Sequence, residues 1–161
     1  MEIERQFLVK ALPALPLVSD RLEQGYVAFL PEIRIRAVNG ERFFLTVKRG
    51  TGLVRQEWET PVSREEYENL VQRLEPGTLL VKKRRYRLPL AGGWTAELFV
   101  HSGHLDGFAY VEVEFPDEAA AERFRPPAWF GRELTEDAGF SYRTFAREEG
   151  GALARQLMGS R

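Results

Sequence analysis

Five segments of the 161-residue chain carry like-charged doublets two residues apart: Glu2 and Glu4, Arg34 and Arg36, Glu57 and Glu59, Lys83 and Arg85, Glu112 and Glu114. Lys48, Arg55 and Glu97 fall on the matching parity of other alternating segments. In extended chain such side chains leave one face roughly 7 Å apart. Like charges at that spacing repel by about 0.6 kcal/mol in bulk water and by about 2.4 kcal/mol at an effective dielectric near 20. A merely solvated face would dilute the repulsion with Ser, Thr or Gln. Separate acid and base groups suit a cation bound beside a polyanion. Carboxylates with no Cys or His among them are hard oxygen donors, fitted to Mg²⁺ or Mn²⁺ rather than zinc. The bases Arg34, Arg36, Lys48, Arg55, Lys83 and Arg85 suit a substrate with several phosphate oxygens, Arg gripping bidentately and Lys acting as a point charge. Together they make the equipment of phosphoryl transfer, where a protein mostly positions groups and offsets charge.

Strands must present these residues. Alternation predicts them at Glu2–Val9, Gln24–Leu30, Glu32–Val38, Arg42–Arg49, Val54–Thr60, Leu79–Leu88, Trp94–His101 and Phe108–Phe115, with Asn39-Gly40, Gly50-Thr51-Gly52 and Gly92-Gly93 as turns. Their second face is apolar: Ile3, Phe7 and Val9, Ile33 and Ile35, Phe43, Leu45 and Val47, Leu98 and Val100, Val111, Val113 and Phe115. Ser63 and Glu66 form a capping box for a helix striped by Tyr67, Leu70, Val71 and Leu74, stopped at Pro76-Gly77. A second helix follows Asp117. A third starts near Ser141, carries Phe145 and should break at Gly150-Gly151; residues 150–161 read as a tail or short helical extension of a domain spanning 1–149. The expected fold is α+β: an eight-stranded antiparallel β-barrel with helices packed outside and at its ends, so that the charged faces converge on the lumen.

Composition narrows the functional classes. With 43% hydrophobic residues and no apolar run near the ~20 residues of a membrane span, neither a disordered nor a helical membrane protein is expected. A net charge of −1 gives no global attraction to nucleic acid. Cys is absent, which removes disulfides and thiolate chemistry. The charged N-terminus has none of the apolar core of a signal peptide, and a cytoplasmic location is the default.

The segment Glu2-Ile3-Glu4-Arg5-Gln6-Phe7-Leu8-Val9 resembles the opening strand of the CYTH superfamily, the triphosphate tunnel metalloenzymes. The likeness continues in order through Gln24-Gly25-Tyr26, Arg34-Ile35-Arg36, Thr46-Val47-Lys48, Arg55-Gln56-Glu57-Trp58-Glu59, Lys83-Arg84-Arg85-Tyr86, Val111-Glu112-Val113-Glu114-Phe115 and Trp129 to Asp137. The resemblance implies an eight-stranded tunnel that binds a triphosphate and divalent metal. Among the family's activities are inorganic, thiamine and RNA triphosphatase and class IV adenylate cyclase. It further implies Glu2, Glu4, Glu112 and Glu114 as metal ligands, and Arg34, Arg36, Lys48, Arg55, Lys83 and Arg85 as the phosphate cradle. Glu57, Glu59 and Arg143 are the candidates for catalytic roles. Three positions depart from the family pattern: Gln6 replaces its Lys, Phe99 replaces an acid of its Glu-x-Asp strand, and Arg143 stands where hydrolases often carry Lys.

The expected function is metal-dependent hydrolysis of a small triphosphate, inorganic tripolyphosphate foremost. A class IV-type adenylate cyclase and a non-catalytic polyphosphate-binding module are the alternatives. The partner is a small molecule rather than nucleic acid or membrane, and a homodimer is compatible with the sequence. His101 and His104 read as surface or turn histidines, Trp58, Trp94 and Trp129 as outer-face packing, and Lys82 to Arg85 as a run split over two faces.

Overall fold

In the computed structural model, residues 1–137, 140 and 142–159 are described. Nine strands are formed among these residues: β1 (Glu2–Val9), β2 (Asp20–Ala28), β3 (Glu32–Val38), β4 (Arg42–Arg49), β5 (Val54–Val62), β6 (Val81–Pro89), β7 (Thr95–Ser102), β8 (Ala109–Glu114) and β9 (Phe130–Glu133). Eight of them run antiparallel in the order β5-β4-β3-β2-β6-β7-β8-β1, and β1 returns to β5 by pairing Glu2 with Arg55 and Ile3 with Val54. This is the expected eight-stranded barrel. The closing seam is short, and β9 pairs instead with the Phe7–Val9 end of β1.

No strand was expected at β9, because four residues are too few for alternation to register. β2 begins four residues earlier than alternation suggests, since Asp20 and Arg21 pair with Arg85 and Arg84 of β6. The β3–β4 turn is as expected: Asn39 and Gly40 both take positive φ, which a two-residue hairpin of this twist requires.

The helices are α1 (Arg64–Val71), α2 (Glu118–Arg123), α3 (Tyr142–Ala146) and α4 (Gly150–Gly159). α1 starts with the Ser63–Glu66 capping box. Ser141, the expected start of the third helix, lies outside the described residues. The chain turns between Ala146 and Gly150, and Gly150 opens α4; a Cβ there would meet the Phe145 carbonyl oxygen at 2.5 Å. No described helix is long and apolar enough to cross a membrane.

The apolar strand faces pack outward. Phe7, Leu98, Val111, Val113 and Phe115 form one cluster with Ala120, Ala121, Phe124 and Phe130, covered by α2 and β9. Ile35, Ala37 and Phe43 form another beneath Tyr67 of α1. The third gathers Leu8, Leu22, Tyr26, Phe99, Phe108 and Tyr110 with Phe145 of α3 and Ala154 and Leu157 of α4. The first two clusters lie outside the sheet, whereas the third closes one end of its interior with Leu22, Tyr26, Phe99 and Tyr110, leaving the rest of the inside to the charged residues.

Candidate active site

The lumen is a cavity of about 620 Å³, and every residue assigned a site role above lines it. Lys83 and Arg85 face inward, whereas Lys82 and Arg84 are exposed, as strand alternation requires. Trp58 is exposed on the outside, Trp94 packs on Phe115, and Trp129 packs on Phe130.

One wall is acidic. Glu4 of β1 lies directly opposite Glu114 of β8, and Glu97 of β7 directly opposite Glu112. Like charges facing across a ladder destabilise a sheet, so something must offset them. Gln6 contributes, its amide donating to Glu4 Oε1 at 2.8 Å and to Glu112 Oε1 at 3.3 Å. Glu4 and Glu97 also favour their protonated forms, burial being the first cause in each. Burial, then the charges of Glu112 and Glu2, push the Glu4 carboxyl well above the usual range. Glu57 is pushed up to about 7, first by its hydrogen bond with Glu2 and then by burial. Burial would raise Glu2 as well, but hydrogen bonds with Glu57 and Glu4 and the charge of Lys48 hold it below the usual range. Glu114, though it lines the cavity, is exposed.

Among the described residues no three carboxylates converge as an assembled cation site. The donor set nonetheless fits a hard divalent cation. Glu2 Oε2 is buried and finds no hydrogen-bond partner among the described residues: Lys48 Nζ donates to Oε1 of the same carboxylate at 3.2 Å and makes only an ion pair with Oε2. Around it stand Glu4 and Glu57, whose carboxyls are raised by burial and by the neighbouring acids.

The opposite side is basic, and most of its cations are paired. Lys48 pairs with Glu2 at 3.2 Å, Arg55 with Glu32 at 2.8 Å, Arg34 with the same Glu32 at 3.8 Å, and Arg36 with Glu59 at 3.3 Å. Arg85 reaches Asp20 at 2.9 Å and Glu97 at 3.5 Å. Yet Arg36 Nε and Arg55 Nε are buried and find no acceptor among the described residues. Arg143 lines the same cavity from α3, its guanidinium 5.8 Å from the Phe29 ring centroid.

Lys83 is handled differently. Its ammonium lies 4.1 Å from the Phe99 ring centroid, 4.7 Å from that of Tyr142 and 5.5 Å from that of Tyr110. It donates to the Tyr142 and Tyr110 hydroxyls at 3.3 and 3.5 Å. Burial pushes it down to about 7; Glu112 opposes this, and Arg34, Arg36 and Lys48 add to it.

At the mouth, Glu136 accepts from the Leu53 backbone N–H at 2.9 Å and ties the β4–β5 loop to the segment after β9. Gly52 in that loop has φ +79°, and a Cβ there would meet the Glu136 carboxylate at 2.5 Å. Glu136 and Asp137 thus help shape the tunnel rim.

Sequence reasoning missed several lining residues. Glu32, Thr46 and Tyr110 share strand parity with Arg34, Lys48 and Glu112, so their signal was present, whereas Gln24 and Tyr26 face inward because they lie opposite Arg36 and Arg34 in the β2–β3 ladder. His101 is a correction: it is buried at 3% exposure, not at the surface, because it continues the inward parity of Glu97 and Phe99. His104 is a turn residue whose Nε2 is 2.7 Å from the Phe145 carbonyl oxygen.

A closed antiparallel sheet lined by facing acids and arginines defines a tunnel for a polyanion and its counter-cation. No protein-family model matches the chain. It is 40% identical over 148 residues to the inorganic triphosphatase of Nitrosomonas europaea, covering 90% of this chain and 96% of that protein. With the inorganic triphosphatase of Acetivibrio thermocellus the identity is 34% over 143 residues, 84% and 86% of the two chains. The crystal structure of the inorganic triphosphatase NE1496 matches with a TM-score of 0.67 and 38% identity, over 91% of this chain and 94% of that one. The putative adenylyl cyclase HpAC1 from Hippeastrum, 13% identical over 76% of this chain and 83% of that one, shares the fold at a TM-score of 0.55. The chain belongs to the CYTH family of triphosphate tunnel metalloenzymes, among relatives named inorganic triphosphatase.

Proposed function

We propose that this protein hydrolyses inorganic tripolyphosphate to diphosphate and phosphate, with Mg²⁺ or Mn²⁺ as cofactor. The observation that carries the reading is a set of unsatisfied groups facing one cavity: the buried Nε–H donors of Arg36 and Arg55, and the buried Glu2 Oε2 acceptor. Buried polar atoms without partners are costly, and anionic oxygens for the arginines with a cation for the carboxylate would satisfy all three. The names of the relatives support the same activity.

Glu2, Glu4, Glu112 and Glu114 would hold the metal, which when bound supplies positive charge to the phosphate oxygens. Arg34, Arg36, Arg55 and Arg85 would exchange their carboxylate partners for phosphate oxygens and align the chain. Lys48 and Lys83 would offset charge on the leaving diphosphate. Glu57 and Glu59 face the lumen from β5 and are placed to orient a water. Its oxygen attacks the terminal phosphorus, the bond to the bridging oxygen breaks, and diphosphate leaves with that oxygen. Arg143 would hold the terminal phosphate; a group that stays charged near neutral pH is unsuited to act as base. This reading places a small-molecule enzyme in the cytoplasm, with a homodimer to be checked by light scattering.

The test is purified protein with Mg²⁺ or Mn²⁺ and tripolyphosphate, ATP or thiamine triphosphate. Phosphate release fastest from tripolyphosphate is expected. Cyclic AMP from ATP would make it a cyclase, and tight binding without product would make it a binding module.

A further inference from the structure

We propose that His101 is a positioning residue for this hydrolysis: through the Tyr142 hydroxyl it holds the Lys83 ammonium toward the substrate's phosphate oxygens. The inference rests on the hydrolytic reading above and adds a residue to it.

His101 of β7 lies directly opposite Lys83 of β6. Its Nδ1 is 2.9 Å from the Phe108 carbonyl oxygen. A carbonyl only accepts, so Nδ1 carries the ring proton and Nε2 is left as an acceptor. That acceptor receives the Tyr142 hydroxyl in a close contact. With its proton committed to His101, the Tyr142 oxygen turns its lone pairs to Lys83 Nζ. Tyr110 is oriented in the same sense, since its O–H donates to Glu112 Oε1 at 2.8 Å and its oxygen accepts from Lys83. Two phenols that could each have donated are thereby fixed as acceptors for one ammonium.

The consequence is electrostatic. Among the described residues no carboxylate lies within ion-pair distance of Lys83, whereas Lys48, Arg34, Arg36, Arg55 and Arg85 each have one. Lys83 is therefore held by dipoles and ring faces, which fix its place without cancelling its charge. A histidine needed only for packing would not require Nε2 to be satisfied by a side chain lining the lumen. Leu or Phe would fill the space without burying two ring nitrogens. Burial also holds His101 neutral, its value pushed down to about 3, which keeps Nε2 an acceptor across the working pH range.

The experiment measures tripolyphosphate hydrolysis at saturating Mg²⁺ for the parent, His101→Phe, Tyr142→Phe, Lys83→Met and their pairwise combinations, with folding checked by circular dichroism and melting. His101→Phe and Tyr142→Phe should each lower kcat about tenfold or more, with KM changed less than about threefold. The His101→Phe/Tyr142→Phe pair should be no slower than its worse member, and neither change should slow a Lys83→Met protein further, because the effect passes through Lys83. His101→Gln, whose amide oxygen can accept the phenol proton, should recover most of the rate. If His101→Phe does not fold, Tyr142→Phe with and without Lys83→Met decides alone, since it removes one oxygen and keeps the ring. Effects that multiply independently, or a His101→Phe or Tyr142→Phe enzyme with parental kcat, would overturn the relay while leaving the hydrolase intact. A parent that releases no phosphate from any triphosphate would overturn the hydrolytic reading and the relay with it.

Discussion

Lys48 and Lys83 are both buried lysines facing one cavity, 8% and 5% exposed, yet their surroundings are opposite. Lys48 reaches from the basic side to the acidic wall and pairs with Glu2 at 3.2 Å. Lys83 sits at the aromatic wall against Phe99, Tyr110 and Tyr142, with phenol oxygens as its partners. An ion-paired cation can trade partners when a cation takes the carboxylate and a phosphate arrives. One held by phenols and rings keeps its place before and after. The difference teaches that one tunnel contains both a cation held by an exchangeable carboxylate and one whose position is preset by phenols and rings. Preset charge suits transition-state stabilisation, where reorganisation is the cost to avoid.

Removing acids from the exchangeable wall should have the largest effect. Glu4→Gln or Glu114→Gln should reduce metal-dependent phosphate release by about a thousandfold or more, roughly 4 kcal/mol of barrier. The two should differ in stability. Glu4 is buried among Glu2 and Glu112, so its replacement should raise the melting temperature, whereas exposed Glu114 should leave it nearly unchanged. Activity that persists in EDTA and in both variants would show that these acids are not ligands.

Adding charge to that wall should act more gently and in the other direction. Gln6 bridges Glu4 and Glu112 without a formal charge. Gln6→Lys should raise turnover about tenfold, roughly 1.4 kcal/mol, with binding changed less. Steady-state kinetics at saturating metal decide it; an equal or slower variant would mean that the amide is the adapted residue.

The aromatic wall should reveal itself in the pH dependence of stability. His101 is held neutral when folded, its value pushed from 6.5 down to about 3 by burial first and by Lys83 next. Between those values the unfolded chain binds a proton that the folded protein refuses. Stability from this site is therefore complete above about pH 6.5 and falls as the pH drops toward 3, by up to about 1.4 kcal/mol per pH unit. Melting temperatures across that window should fall less steeply for His101→Gln. An identical slope would show that the ring is not buried neutral.

The smallest effect is expected at Asp20. Its hydrogen bonds from Arg85 foremost, opposed by burial, hold it at about 2. Such a depressed acid stabilises above its unfolded value, near 4, and loses that contribution as the pH falls through about 2. Asp20→Asn should cost less than about 1 kcal/mol at neutral pH, with the difference shrinking in high salt, because Arg87 of the cluster is exposed. Chemical denaturation at two salt concentrations would measure it.

Alternation made much of this molecule legible. The doublets at Glu2/Glu4, Arg34/Arg36 and Lys83/Arg85 sorted inside from outside correctly, because side-chain direction along a strand depends only on parity. The short β9 and the first residues of β2 were not legible, since their pairing is decided by strands distant in sequence. His101 was misplaced for a related reason. A histidine at a strand end reads as a turn residue until the strand is known to continue through Ser102.

The sequence by itself determined that the acids Glu2, Glu4, Glu112 and Glu114 and the bases Arg34, Arg36, Lys48, Arg55, Lys83 and Arg85 face one lumen. It did so because charge type and two-residue periodicity are local properties. Only the tertiary structure decided which charges neutralise one another. Glu32 between Arg34 and Arg55, Gln6 between Glu4 and Glu112, and Lys83 among Phe99, Tyr110 and Tyr142 each depend on which strands become neighbours or on α3 folding back over the lumen. Lys48 of β4 meets Glu2 of β1 across the seam where the sheet closes. The strength of each interaction follows from the burial that closure creates.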